Sequence, residues 1–144
     1  MNPKIESLIG QPVGSLLDRE PYSGWSPKRS VSRDIAKELA VHYEFRGHGF
    51  ELRCDPQENI ATIFIDFKKG YDPALGTPFD ILPTTTRDEV RALPGEPSKG
   101  SEAPPWDRFT MDGYTIHFQY TPAEAGQREG IAMITLMRPD RVPA

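Results

Sequence analysis

FDILPTTTRDEVRALPGEP, residues 79–97, is the stretch around which the rest of the chain is organised. Thr86-Arg87-Asp88-Glu89 has the form of a capping box. The Thr86 hydroxyl can accept from the Glu89 amide while the Glu89 carboxylate reaches back to the Thr86 amide. Val90 and Leu93 supply one short apolar face, and Pro94-Gly95 stops the helix soon after it starts, which predicts a helix over Thr86–Leu93. A block of alternating apolar residues lies on each side. The short helix therefore sits between two β blocks and packs across the sheet they make.

In the first block Val41, Tyr43 and Phe45 alternate with polar residues, as do Phe50, Leu52 and Cys54, with a turn at Gly47-His48-Gly49. Ile60–Phe67 (IATIFIDF) is apolar on both faces, with Ile63, Ile65 and Phe67 on one and Ile60 and Phe64 on the other. That pattern predicts a central strand. In the second block Trp106–Met111 is strand-like, and Asp112-Gly113 predicts a type I′ turn, with positive φ at both residues. Tyr114, Ile116, Phe118 and Tyr120 alternate next, and Ile131–Met137 is the last strand. Residues 4–17 read as two short helical pieces around Gly10 and Pro12. Asp18–Arg29 reads as an irregular loop whose Tyr22 and Trp25 fold back on the core. Ile35–Leu39 is a possible helical turn, residues 98–105 a flexible linker-like loop and residues 138–144 a tail. No internal repeat reaches motif strength. The sum is one α+β domain over residues 1–144. Its expected frame is a single twisted antiparallel sheet of five to six strands, in two meanders, with short helices packed on one face.

A chain of 144 residues with 37% hydrophobic and 10% aromatic content has enough apolar material for an ordinary core. The formal charge of −4 argues against a general nucleic-acid binder. The N-terminal MNPKIESLIG lacks a basic segment followed by an apolar one, and no apolar run reaches membrane-spanning length. These features predict a cytoplasmic location, without membrane or nucleic-acid partners.

Catalytic chemistry finds little footing. Cys54 is the one cysteine, and its phase with Phe50 and Leu52 makes it a core residue. His42 and His117 fall on the polar phase of their strands, and His48 lies between two glycines, so no pair has metal-ligand spacing. There is no G-x-S-x-G elbow, and no glycine cradle opens a helix. The expectation is a non-enzymatic protein with no cofactor and no metal. What remains is aromatic residues beside carboxylates in and around the loops: Tyr71, Asp72, Asp80, Trp106, Asp107 and Asp112. Rings supply buried area and carboxylates steer a basic partner, so these six form the candidate partner-binding patch. The alternative is a small-ligand binder or stand-alone enzyme using a cleft beside the 68–80 loop.

The order of LIG (8–10), FELRCD (50–55), IATIFIDF (60–67), LGTPFDI (75–81), TRDEVRALPGEP (86–97), DRFTMDGYTIHFQY (107–120) and IAMITL (131–136) resembles a diffuse group of small bacterial proteins. Many of these look like immunity proteins encoded beside polymorphic or secretion-delivered toxins. This chain has LPG where the shared pattern has LG. The resemblance implies an inhibitor that binds a cognate, basic toxin domain and occludes its active site. It carries over no contact residue, because such surfaces diverge with the partner.

Overall fold

The computed structural model describes residues 4–33, 38–93, 97–122 and 129–142. Its frame is one open antiparallel sheet of eight strands in the order β1-β2-β3-β4-β8-β7-β6-β5. The strands are β1 (Lys28–Arg33), β2 (Leu39–Phe45), β3 (Phe50–Cys54), β4 (Ile60–Asp66), β5 (Lys99–Glu102), β6 (Pro105–Thr110), β7 (Thr115–Thr121) and β8 (Gly130–Met137). Among the described residues the α-helices are α1 (Gly14–Leu17) and α2 (Arg87–Arg91), with several single 3-10 turns elsewhere. The expected five- to six-stranded α+β frame is therefore corrected to a sheet-dominated fold. The two extra strands are the edges, β1 beginning in the last two residues of the expected irregular loop and running past it, and β5 in the expected linker. All six residues of β1 are exposed, as are three of the four in β5. Strands whose side chains stay exposed leave no apolar alternation to read.

β4, the strand expected to be central, is central, and it pairs with β8 to join two four-stranded meanders. Phe64 stands opposite Thr135 in the middle of that pair. On one side of it Thr62 and Ile63 face Met137 and Leu136, and on the other Ile65 and Asp66 face Ile134 and Met133. A half-turn about Phe64–Thr135 therefore lays IATIFI (60–65) on IAMITL (131–136). Each half also carries a bulge at the same place. Arg53 and Cys54 pair with Thr62 and Ile60, leaving Ala61 as the extra residue. Gln119 and Tyr120 pair with Met133 and Ile131, leaving Ala132. The bulge reverses the phase of the residue before it. Ile60, expected on the Phe64 side, is thereby turned onto the same face as Ile63 and Ile65, and all three are fully buried. The repeat spans six residues, too few to stand out in the sequence.

One face of the sheet holds the core. Val41, Phe45, Leu52, Ile63, Ile116, Phe118, Ile134 and Leu136 point into it, and Ile5, Leu8, Leu16, Tyr71, Ile81 and Val90 cover them from the segments outside the sheet. Tyr22 and Trp25 do fold back, 5.4 Å from the Phe50 ring and 5.8 Å from the Phe45 ring respectively. Gly49 has φ 62, and a Cβ there would stand 2.2 Å from the Asp66 carbonyl, so only glycine lets the β2–β3 turn seat against the end of β4. In the β6–β7 turn the positive φ falls on Gly113 alone, not on Asp112 as well. Of the expected helical turn at Ile35–Leu39, Leu39 opens β2; residues 35–37, and the expected stop at Pro94-Gly95, lie outside the described residues. The segment expected as a tail is docked through Arg138, whose amide donates to the Ala61 carbonyl at 2.8 Å and whose Nη1 donates to Asp55 Oδ2 at 2.8 Å.

Candidate functional site

The capping box forms as the sequence predicts. Thr86 Oγ1 accepts from the Glu89 amide at 3.2 Å, and Glu89 Oε1 accepts from the Thr86 amide at 3.0 Å. That cap sets the direction of α2, and the direction aims Arg87 and Arg91 at one carboxylate beneath them. Asp107 is fully buried. Its oxygens accept from Arg87 Nε at 3.0 Å, Arg91 Nε at 2.9 Å, Arg91 Nη2 at 2.9 Å and the Tyr120 hydroxyl at 2.9 Å. Burial by itself would raise the Asp107 carboxyl. The hydrogen bonds from Arg91, Arg87 and Tyr120 outweigh burial and hold it well below the usual carboxylate range. A Cβ at Gly100 would come within 2.7 Å of Asp107 Oδ1, so the glycine in β5 makes room for this cluster.

The six expected patch residues do not form one surface. Asp107 belongs to the cluster just described. Tyr71 is also buried: its hydroxyl donates to the Gly76 carbonyl at 2.6 Å and its ring packs against Phe50 and Phe67. Trp106, one residue from Asp107 on β6, points to the opposite face of the sheet. There it stacks on His117 at 4.9 Å with the Arg108 guanidinium 5.3 Å from its ring. Asp72 is exposed, accepting from the Ala74 amide at 2.9 Å beyond the Asp66 end of β4. Asp112 is exposed in the β6–β7 turn, at the other end of the strands. Asp80 is exposed on the covered side.

Two residues that the sequence reading passed over lie beside Asp80. Among the described residues four large apolar side chains are exposed, and two of them, Phe79 at 39% and Leu82 at 51%, flank it. Phe79 and Asp80 both have positive φ, 56° and 55°. Two consecutive left-handed residues, one of them a bulky aromatic, are a strained arrangement that persists only where its surroundings enforce it. Here the enforcement is local. Thr77 Oγ1 donates to the Ile81 carbonyl at 2.7 Å, the Asp80 amide to Thr77 O at 3.3 Å, and the Ile81 amide to Pro78 O at 3.2 Å. The Leu82 amide donates to Thr85 Oγ1 at 2.9 Å, and the Ile131 amide to Pro83 O at 2.9 Å ties the loop to β8. Phe79 lines a small apolar cavity with Val90, Leu93, Phe109 and Met111, and the side chain stays partly exposed. The signal available in the sequence was FDIL itself, an apolar pair interrupted by an acid before a helix cap.

The charge of this ridge is one-sided. Between Tyr71 and Leu93 the acids are Asp72, Asp80, Asp88 and Glu89, and the bases are Arg87 and Arg91. Both guanidinium groups are turned onto Asp107 and Glu102. The exposed carboxylates of Asp80, between Phe79 and Leu82 in sequence, and of Asp88 on α2 leave the segment acidic outward, with no lysine in it.

The other sheet face carries a wide concavity of about 630 Å³ lined by Glu44, Arg46, Glu51, Arg53, Phe64 and Met133, among others. It meets the 68–80 loop at Lys69 alone. Arg46 pairs with Glu44 at 3.2 Å, and the Arg53 guanidinium lies 5.2 Å from the centre of the Phe64 ring. Cys54 is buried, and desolvation pushes its thiol up to about 12. Among the described residues no group of three or more His, Cys, Asp or Glu side chains could hold a metal ion. No helix among them is long and apolar enough to cross a membrane. Family models, curated proteins and solved structures give no match to this chain, so the ridge and the sheet behind it carry the functional reading.

Proposed function

We propose that this protein is a contact-acting inhibitor of the immunity type, which binds a cognate toxin domain and occludes its active site through the 77–89 ridge. The observation that carries the reading is the strained, hydrogen-bonded presentation of Phe79 beside exposed Leu82. A rigid loop that holds two large apolar side chains out loses little conformational entropy when a partner covers them. Strain at an exposed aromatic has no benefit to folding, and a binding surface is where such strain is retained. Asp80 beside the anchors and exposed Asp88 on α2 fit a basic partner surface, speeding encounter while Phe79 and Leu82 slow release. The earlier patch survives in this reading only through Asp80.

Titration of the purified toxin domain with this protein tests it. The expected result is loss of toxin activity that saturates at a fixed stoichiometry, and retention of activity with a Phe79→Gly, Leu82→Ser variant. Inhibition that needs turnover, or that the double variant retains in full, contradicts it.

A further inference from the structure

Of the three histidines, one has a hydroxyl on one ring nitrogen and a carboxylate toward the other. His42 Nε2 lies 2.6 Å from the Ser32 hydroxyl oxygen, and His42 Nδ1 lies 4.0 Å from Glu51 Oε1. The strand register explains this line. His42 faces Ser30 on β1 and Arg53 on β3, so Ser32 and Glu51 are its diagonal neighbours, on opposite sides of the ring. All three project from the open face of the sheet, because Val41 and Tyr43 on either side of His42 point into the core. The other two histidines are stacked on tryptophans, His48 on Trp25 at 3.9 Å and His117 on Trp106 at 4.9 Å.

Glu51 decides the tautomer. Its carboxylate favours a proton on Nδ1, which leaves the Nε2 lone pair to accept from the Ser32 hydroxyl. At 4.0 Å Glu51 acts through its charge, and that charge also favours the imidazolium formed when the ring takes a proton. The His42 side chain is only 17% exposed, so the ring is held, while Ser32 is exposed to a reactant. No strand pairs with the outer side of β1 among the described residues, so unpaired main-chain amides lie along the strand that carries Ser32. Such amides can hold the carbonyl oxygen of an ester as it gains charge. We infer that Ser32 is an activated nucleophile that takes the acyl group of a small activated carboxylic ester, with His42 as general base. Ser32 Oγ bonds to the carbonyl carbon as its proton passes to His42 Nε2. The ester C–O bond then breaks, that proton goes to the departing oxygen, and Ser32 is left O-acylated. Water activated by the same nitrogen releases the carboxylic acid and restores the serine. Ser32 and His42 are the catalytic residues, and Glu51 is a positioning residue. This inference does not rest on the inhibitor reading, because Phe79 packs with residues of β6 and β7 on the covered face.

The test uses the full chain and p-nitrophenyl acetate, with peptide mass spectrometry to place the acetyl group. Ser30 is the internal control, since it shares the face of β1 with Ser32 while the hydrogen bond to His42 belongs to Ser32. Ser32 is expected to acetylate at least about a hundredfold faster than Ser30, the scale of general-base catalysis. His42→Gln is expected to bring Ser32 down to the Ser30 rate. Ser32→Ala, a change at an exposed position, is expected to abolish that label and leave Tm unchanged. Glu51→Gln is expected to slow acetylation about fivefold, the effect of one solvated charge at about 4 Å. Nitrogen NMR of the His42 ring is expected to show the Nδ1–H tautomer in the parent and a loss of that preference in Glu51→Gln. Equal acetylation of Ser32 and Ser30 in the parent, or a Ser32 rate that His42→Gln leaves unchanged, overturns the inference. So does a parent ring protonated on Nε2, since that nitrogen could then accept nothing from Ser32.

Discussion

Asp107 accepts from Arg91 Nε and from the Tyr120 hydroxyl, each at 2.9 Å, so a single carboxylate ties the capped helix to the sheet beneath it. Because the carboxyl is held well below its ordinary value of about 3.9, its contribution is fully present above that pH and is lost as pH falls toward the folded-state value. Stability in denaturant melts should therefore fall steadily below about pH 4. Asp107→Asn should lower stability at pH 7 by roughly 3 kcal/mol, because Arg87 and Arg91 lose their anion, and should flatten the acid slope. An unchanged slope would show that other carboxylates dominate it.

The two sides of β4 should respond differently to truncation. Ile63→Ala and Ile65→Ala remove fully buried side chains and should cost about 2–5 kcal/mol. Phe64→Ala removes a half-buried ring from the open face and should cost less than either. Ile134→Ala, which corresponds to Ile63→Ala under the half-turn about Phe64–Thr135, should match it within about 1 kcal/mol.

Those two strands mark what the sequence discloses and what it hides. IATIFIDF and IAMITL bury side chains, so their apolar runs reveal both strands, and apolar residues on both phases of IATIFIDF point to the central place of β4. The capping box at Thr86 and Glu89 is equally legible, because both partners lie within one turn. KRSVSR and KGSE pair with β2 and β6 while their side chains stay almost wholly exposed, so no apolar alternation records them. The six patch residues are dispersed for a related reason. Trp106 and Asp107 are neighbours in sequence, but a strand sends neighbours to opposite faces. Phe79 was invisible as a site because its exposure depends on a left-handed backbone that no pattern of apolar residues announces.

Cys54 should be inert in the folded protein. With the thiol raised to about 12, the thiolate fraction at pH 7–8 is negligible. Maleimide labelling followed by mass spectrometry should show modification only under unfolding conditions. Rapid labelling of the native chain would reopen a nucleophilic role.

At Phe79 stability and binding should separate. Phe79→Gly relieves a positive φ while removing a partly packed ring, and these opposing effects should leave stability within about 1 kcal/mol of the parent. Dissociation from the partner should nevertheless quicken by at least about tenfold. Asp80→Lys or Asp88→Lys should chiefly slow association, with an effect that shrinks as salt rises. Trp106→Ala, on the far face of the sheet, should leave both rate constants unchanged.

The most direct measurement is growth rescue with co-purification, scored for the product of the gene adjacent to this one when the two are co-expressed. The account predicts that the neighbour alone arrests growth, that the parent protein restores it and co-purifies, and that the Phe79→Gly, Leu82→Ser variant is made in equal amount yet does neither. A harmless neighbour, or full rescue by that variant, would contradict the account.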